Sequence, residues 1–174
     1  MHQRPPRTAF DAVCIAFFLT NLVLVTYTID LEQLLIADVE RFEYPVWPPA
    51  RLVDLLHWWG RNYDHVLLTR PTWYRTIIGV EVALFGPFYA IASYALWRGK
   101  RWIRRPMLVW SVAMLCCVSA VLVGGAVAAY SPSQFLAVLA ASSSWIIMPI
   151  LILVDTSRRS LRPERGDAPR AGAP

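Results

Sequence analysis

TIIGVEVALFGPFYAIASYALW, residues 76–97, is a run of 22 residues in which Glu81 is the only formally charged side chain. At about 1.5 Å per helical residue it reaches about 33 Å, enough to cross a hydrocarbon core. A carboxylate at that depth costs roughly 2.5–3.5 kcal/mol on insertion scales unless it faces a cavity, a partner or a ligand. Glu81 therefore marks a candidate functional site; the competing role is a structural hydrogen bond to a neighbouring helix.

Outward from this stretch, residues 106–154 carry no formal charge over 49 positions, too many for one crossing. Ser131-Pro132-Ser133 supplies the break, because proline removes a backbone donor and restricts the residue before it. Two spans follow, 106–130 and 135–154. Residues 12–29 give a further span, uncharged between Asp11 and Asp30. Its apolar core exceeds a typical signal-peptide core and no small-x-small site follows, so a retained helix is expected. With 56% hydrophobic and 17% charged residues, the chain is not an ordinary soluble domain. The expected fold class is an all-α membrane protein, a four-transmembrane-helix bundle with an amphipathic outer loop between helices 1 and 2. Residues 9–157 form one domain, and 158–174 a disordered basic tail rich in Pro, Arg, Gly and Ala.

Charge orients the bundle. Arg4 and Arg7, the connector carrying Arg98, Lys100, Arg101, Arg104 and Arg105, and the tail arginines contrast with residues 30–73, where four arginines meet seven acids. Basic segments stay inside, so both termini are expected in the cytoplasm and the long loop outside. Juxtamembrane arginines of this kind set orientation and touch anionic lipid, so no nucleic-acid partner is expected. Cys14, Cys116 and Cys117 fall within spans, which implies no disulfide framework and argues against a quinone-coupled thiol oxidoreductase.

In the outer segment Leu52, Leu55, Leu56, Trp59, Tyr63 and Val66 recur at helical spacing. An amphipathic helix over 49–68 is predicted, either a belt anchored by Trp58, Trp59 and Tyr63 or a lid over a cavity. His57 and His65 share this loop with Asp54 and Asp64 but form no compact ligand motif, so no metal is expected. The chain has no Gly-rich phosphate loop, nucleophile elbow or aspartate-rich diphosphate motif, and no cofactor is expected.

Asp30 closes the first span, and Glu81 lies about six residues into the second, so antiparallel packing brings both acids into the outer half of the bilayer. Two carboxyls in one low-dielectric pocket cannot both ionise cheaply. A protonated acid beside an ionised one binds an ammonium group, or protonates an alkene and stabilises the carbocation. Helical spacing puts Ile77, Ile78, Leu84, Phe85 and Phe88 around Glu81, with Phe85 and Phe88 able to face a cation or simply to pack. Pro87 and Pro149 free the carbonyls of Ala83 and Trp145, and such kinks open cavities. The candidate catalytic residues are Glu81 and Asp30. The candidate ligand-binding set is Asp30, Glu81, Asp64, Phe85, Phe88, Trp110 and Trp145.

A collinear series of short matches runs through Ile29-Asp30-Leu31, Tyr44-Pro45-Val46, Asp64 before Leu67-Leu68, Pro71-Thr72-Trp73-Tyr74, Glu81 and Gly86-Pro87. It continues through Ala92-Ser93-Tyr94-Ala95, Trp102-Ile103-Arg104, Trp110-Ser111-Val112 and Met148-Pro149. In these residues the chain resembles the EXPERA-domain family. The resemblance implies a four-helix membrane fold with a buried pocket for sterols or cationic amphiphiles, often dimeric and usually in the endoplasmic reticulum. It implies that Asp30 and Glu81 face the ligand and that Asp64 supports the site from the loop. The family's isomerase branch carries a histidine and a glutamate on the first span, where residues 20–25 here read TNLVLV; Ala113 stands where the receptor branch has a histidine. The expected function is binding of a sterol-like or other isoprenoid lipid, or a cationic amphiphile. The alternative is an acid-catalysed isoprenoid isomerase or terpene cyclase. The host membrane is the endoplasmic reticulum in a eukaryote and the cytoplasmic membrane in a bacterium.

Overall fold

The computed structural model describes residues 8–127 and 130–160, which contain helices and loops and no strand. In chain order the helices are α1 (Ala9–Leu35), α2 (Ala50–Asn62), α3 (His65–Thr69), α4 (Thr72–Trp97), α5 (Arg101–Val127) and α6 (Pro132–Ser160). Of these, α1, α4, α5 and α6 are long and apolar enough to cross a membrane. The basic tail expected from residue 158 is helical as far as Ser160. Its remainder, like Arg4 and Arg7, lies outside the described residues.

One end of the bundle is fastened by charge. Thr8 Oγ1 accepts the Asp11 amide at 3.2 Å while Asp11 Oδ2 accepts the Thr8 amide at 3.1 Å, a reciprocal cap that fixes where α1 begins. Arg104 donates to Asp11 through Nη2 and to Asp155 Oδ2 through Nη1 at 3.2 Å, tying the start of α1 and of α5 to the end of α6. At the other end lie α2, α3 and the α5–α6 connector.

Two of the spans are unevenly wound. Asn21–Asp30 in α1 and Glu81–Phe85 in α4 hydrogen-bond in wide, five-residue turns. In α4 the cause is Pro87, which has no N–H and whose ring crowds the Ala83 carbonyl; the widened turn before it absorbs the mismatch. Within α1, the Thr28 hydroxyl donates to the Val23 carbonyl five residues back at 2.8 Å, the same spacing as the wide turns around it. Pro149 sits inside α6 without ending it.

The first span does not stop at Asp30, as the sequence predicts, but continues to Leu35. Glu32 and Gln33 would be expected to leave the membrane, yet both are buried in protein, with Glu32 wholly enclosed. Charge at a span's end signals an exit to water only when no partner waits for it.

The core below the wide turns is aromatic. The Phe18 and Trp110 rings meet edge-on at 5.1 Å, and Phe88 stacks on Trp110 at 5.9 Å. Helix α1 is joined to α6 by Trp145 Nε1, which donates to Asn21 Oδ1 at 2.6 Å. It packs tightly on α4 at Gly86, where a Cβ would sit 3.0 Å from Thr26 Cγ2 and from the Tyr27 hydroxyl. Small residues permit such contacts between membrane helices. Gly86→Val is expected to destabilise the protein by about 1–3 kcal/mol through overpacking, read as a lower melting temperature in detergent. Gly79→Ala, whose new methyl meets nothing within 4 Å, should leave the melting temperature unchanged or raise it.

Candidate functional site

The wide turn of α1 ends on Asp30 and that of α4 begins on Glu81. The two helices bring these carboxyls together on one cavity wall, close enough to interact. Two carboxyls share a hydrogen bond only when one of them holds a proton. Asp30 Oδ2 is buried with no hydrogen-bond partner among the described residues. Wide turns of this type recur at functional sites because they displace side chains from the regular helical register.

The acid pair lies on the wall of a cavity of about 570 Å³, within the size range of small-molecule sites. Its sides are apolar, formed by Leu24, Ile78, Met114, Val118, Val138 and Trp145, and α2 roofs it with Leu52, Leu55, Leu56, Trp58 and Trp59. Polar groups are few: besides Asp30 and Glu81 they include Thr28, Gln33, Asp64, Tyr74 and Ser142. Such a chamber solvates an apolar body and offers one acidic corner to a polar head.

Of the candidates read from sequence, Asp30, Glu81, Asp64 and Trp145 stand on this wall. Phe85, Phe88 and Trp110 do not; they belong to the aromatic core with Phe18 and Tyr89. The wide turn at Glu81–Phe85 inserts a residue, so Phe85 closes it out of regular phase and the residues after it, Phe88 among them, are rotated by about 100°. Trp110 reaches the same layer from α5 and packs against Phe18.

Asp64 caps α3, accepting the Leu67 amide at 3.3 Å, and also accepts the hydroxyl of Tyr130 from the α5–α6 connector. Gln134 Nε2 donates to His65 Nε2 at 3.0 Å beside it. His57, the other histidine of the loop, points instead at Glu32. Its Nε2 lies 2.9 Å from Glu32 Oε1, and Arg70 Nη2 donates to both Glu32 oxygens at 2.8 and 2.9 Å. Arg70 also donates to the Ile36 carbonyl through Nη1 and to the Leu67 carbonyl through Nε at 3.0 Å. This cluster carries no spacing signature, since Glu32 and Arg70 are 38 residues apart. The one sequence signal was Glu32 itself, an acid directly following an apolar span.

Fold and site together define a four-span membrane protein with an acid-cornered cavity beneath an amphipathic roof. Comparison with known proteins gives the family: the profile EXPERA (EXPanded EBP superfamily) matches residues 51–156, more than half of the chain, and the chain belongs to that family. It is similar to sigma intracellular receptor 2 of Xenopus tropicalis, at 24% identity over 149 residues covering 79% of this chain and 82% of the relative. It is likewise similar to sigma intracellular receptor 2 of Homo sapiens, at 31% identity over 98 residues covering 55% of this chain and 51% of the relative.

Burial and the hydrogen bond to Asp64 push the Tyr130 phenol well above the usual tyrosine range. Folding therefore favours the neutral phenol. Its contribution to stability is complete below the ordinary value of 10.0 and is lost as pH rises above it. The stability advantage of the native protein over Tyr130→Phe is expected to shrink between about pH 9 and about pH 12. Parallel denaturation series across that window measure it; a gap independent of pH would refute the linkage.

Proposed function

We propose that this chain binds a sterol-like or other isoprenoid lipid, or a cationic amphiphile, in the cavity beneath α2, with Asp30 and Glu81 as its polar anchors. The observation that carries the proposal is the meeting of two acids from antiparallel spans on one largely apolar wall. A ligand's hydrocarbon body replaces lipid against the aliphatic sides. Its hydroxyl or ammonium group donates to the carboxyl corner, while Asp64 supports the site from the loop and Trp145 closes one side. The word receptor in the relatives' name points the same way. We take residues 9–157 as one working domain, with the Arg98–Arg105 end and both termini cytoplasmic. The protein functions as a homodimer in the endoplasmic reticulum of a eukaryote or the cytoplasmic membrane of a bacterium.

Lipid mass spectrometry on gently purified protein should recover an isoprenoid. Asp30→Asn and Glu81→Gln should each weaken binding of a fluorescent sterol or a hydrophobic amine by about tenfold or more, the usual worth of a hydrogen bond to a charged group. Unaltered affinity for both probes in both variants would rule the anchors out.

An enzymatic reading has its own support in the acid pair, since a carboxylic acid beside a carboxylate is a donor and its complementary base. In that chemistry the acid's proton forms a C–H bond with the alkene π pair, leaving a carbocation. The carboxylate then removes a neighbouring proton, and its C–H electrons close the new double bond. Incubation in deuterated solvent separates the two: an isomerase or cyclase incorporates deuterium into a rearranged product. A binding protein returns every isoprenoid unchanged and unlabelled.

A further inference from the structure

We infer that α2 and α3 form a hinged roof over the cavity and that Glu32, reaching out of α1, is its latch. The inference deepens the ligand-binding proposal by assigning the route through which the cavity exchanges its contents.

The two short helices behave as one piece. A Cβ on Gly60 of α2 would sit 2.6 Å from Leu68 Cδ2 of α3, so their surfaces interlock without spare room. Irregular backbone flanks the pair, over residues 36–49 on one side and at Arg70-Pro71 on the other. Apolar packing holds part of the roof, with Val53 and Val66 buried, but the stretch over the cavity grips little, since Leu55 and Trp58 line it yet remain 58% and 51% exposed. The polar fastening of the roof to α1 is specific. The Glu32 carboxylate takes His57 from α2 and Arg70 from just beyond α3, holding the piece at two points.

All three side chains are buried, Glu32 at 0%, His57 at 2% and Arg70 at 4% exposure. A buried ionic cluster is a poor device for stability, because desolvation offsets its attraction, but a good one for fixing a unique arrangement. Arg70 also has left-handed backbone, with φ at 44°, a conformation unfavourable for a non-glycine residue. Its guanidinium contacts to Glu32, Ile36 and Leu67 hold that conformation in place. On the far side, Tyr130 to Asp64 and Gln134 to His65 tie α3 to the α5–α6 connector and to α6, which makes that edge the hinge. Release at Glu32 opens a gap between α1 and α2, beside the acid pair. Glu32 is thus a positioning residue: it touches no ligand and acts through the roof.

The test uses the full chain in lipid nanodiscs. Hydrogen exchange of the α2 amides is followed without ligand, and transfer of dehydroergosterol from the protein to phosphatidylcholine vesicles is timed. Glu32→Gln is expected to speed both α2 exchange and sterol release by about tenfold, the equivalent of one charge-assisted bond. Its equilibrium affinity should change far less, because an unlatched roof speeds loading as well as release. The double variant Glu32→Met with Arg70→Met leaves no lone buried charge and should fold and show the same acceleration. His57→Phe, which keeps the Glu32–Arg70 pair, should fall in between. Wild-type α2 exchange in both latch variants would overturn the proposal, as would faster exchange with unchanged sterol release. If dehydroergosterol fails to load the native protein at all, the ligand proposal falls for that sterol, and the amide exchange still decides the latch.

Discussion

A polar group inside hydrocarbon must find its partner within the protein, and the second half of α1, from Asn21 on, carries several of them. Asn21 reaches Trp145 of α6, Asp30 reaches Glu81 of α4, and Glu32 reaches His57 of α2 and Arg70 beyond α3. Each requirement binds α1 to a different element. Because these partners are directional, they fix how far α1 is inserted and which way it is turned, which apolar packing alone does loosely. The arrangement of the bundle follows from satisfying one helix.

The cavity follows from the same helix together with α4. Two wide turns interrupt the regular surfaces that would otherwise interdigitate, and the aromatic layer of Phe18, Phe88 and Trp110 packs densely beneath them. The wide turn of α4 lies directly before Pro87, whose missing N–H is accommodated by extra room there.

Hydropathy made the four spans legible, because about 20 apolar residues are an unmistakable length. Ser131-Pro132-Ser133 marked the break between α5 and α6 for an equally local reason. Glu81 was legible as an anomaly, one charge in a span, and Asp30 as the acid nearest to it in depth. Three features were not. The end of α1 was hidden because the sequence near Glu32 cannot display an arginine that arrives 38 residues later. The packing of Phe85 and Phe88 in the aromatic core was hidden because a regular helical wheel has no place for the extra residue in a wide turn. The helix at residues 50–62 was visible, but its buried side of Val53, His57 and Gly60 was not, since the more apolar leucine face drew attention away from it.

The clamp at Arg104 has a consequence for what the bundle can accommodate. With α1, α5 and α6 cross-linked by charge at that end, the helices cannot spread there without separating opposite charges in a poorly hydrated setting. Any widening is forced toward the far end, as in tweezers joined at the grip. In the proposed ligand-binding role, bulky and slender guests alike would then be met by tips that splay to different degrees while the joint at the base stays fixed.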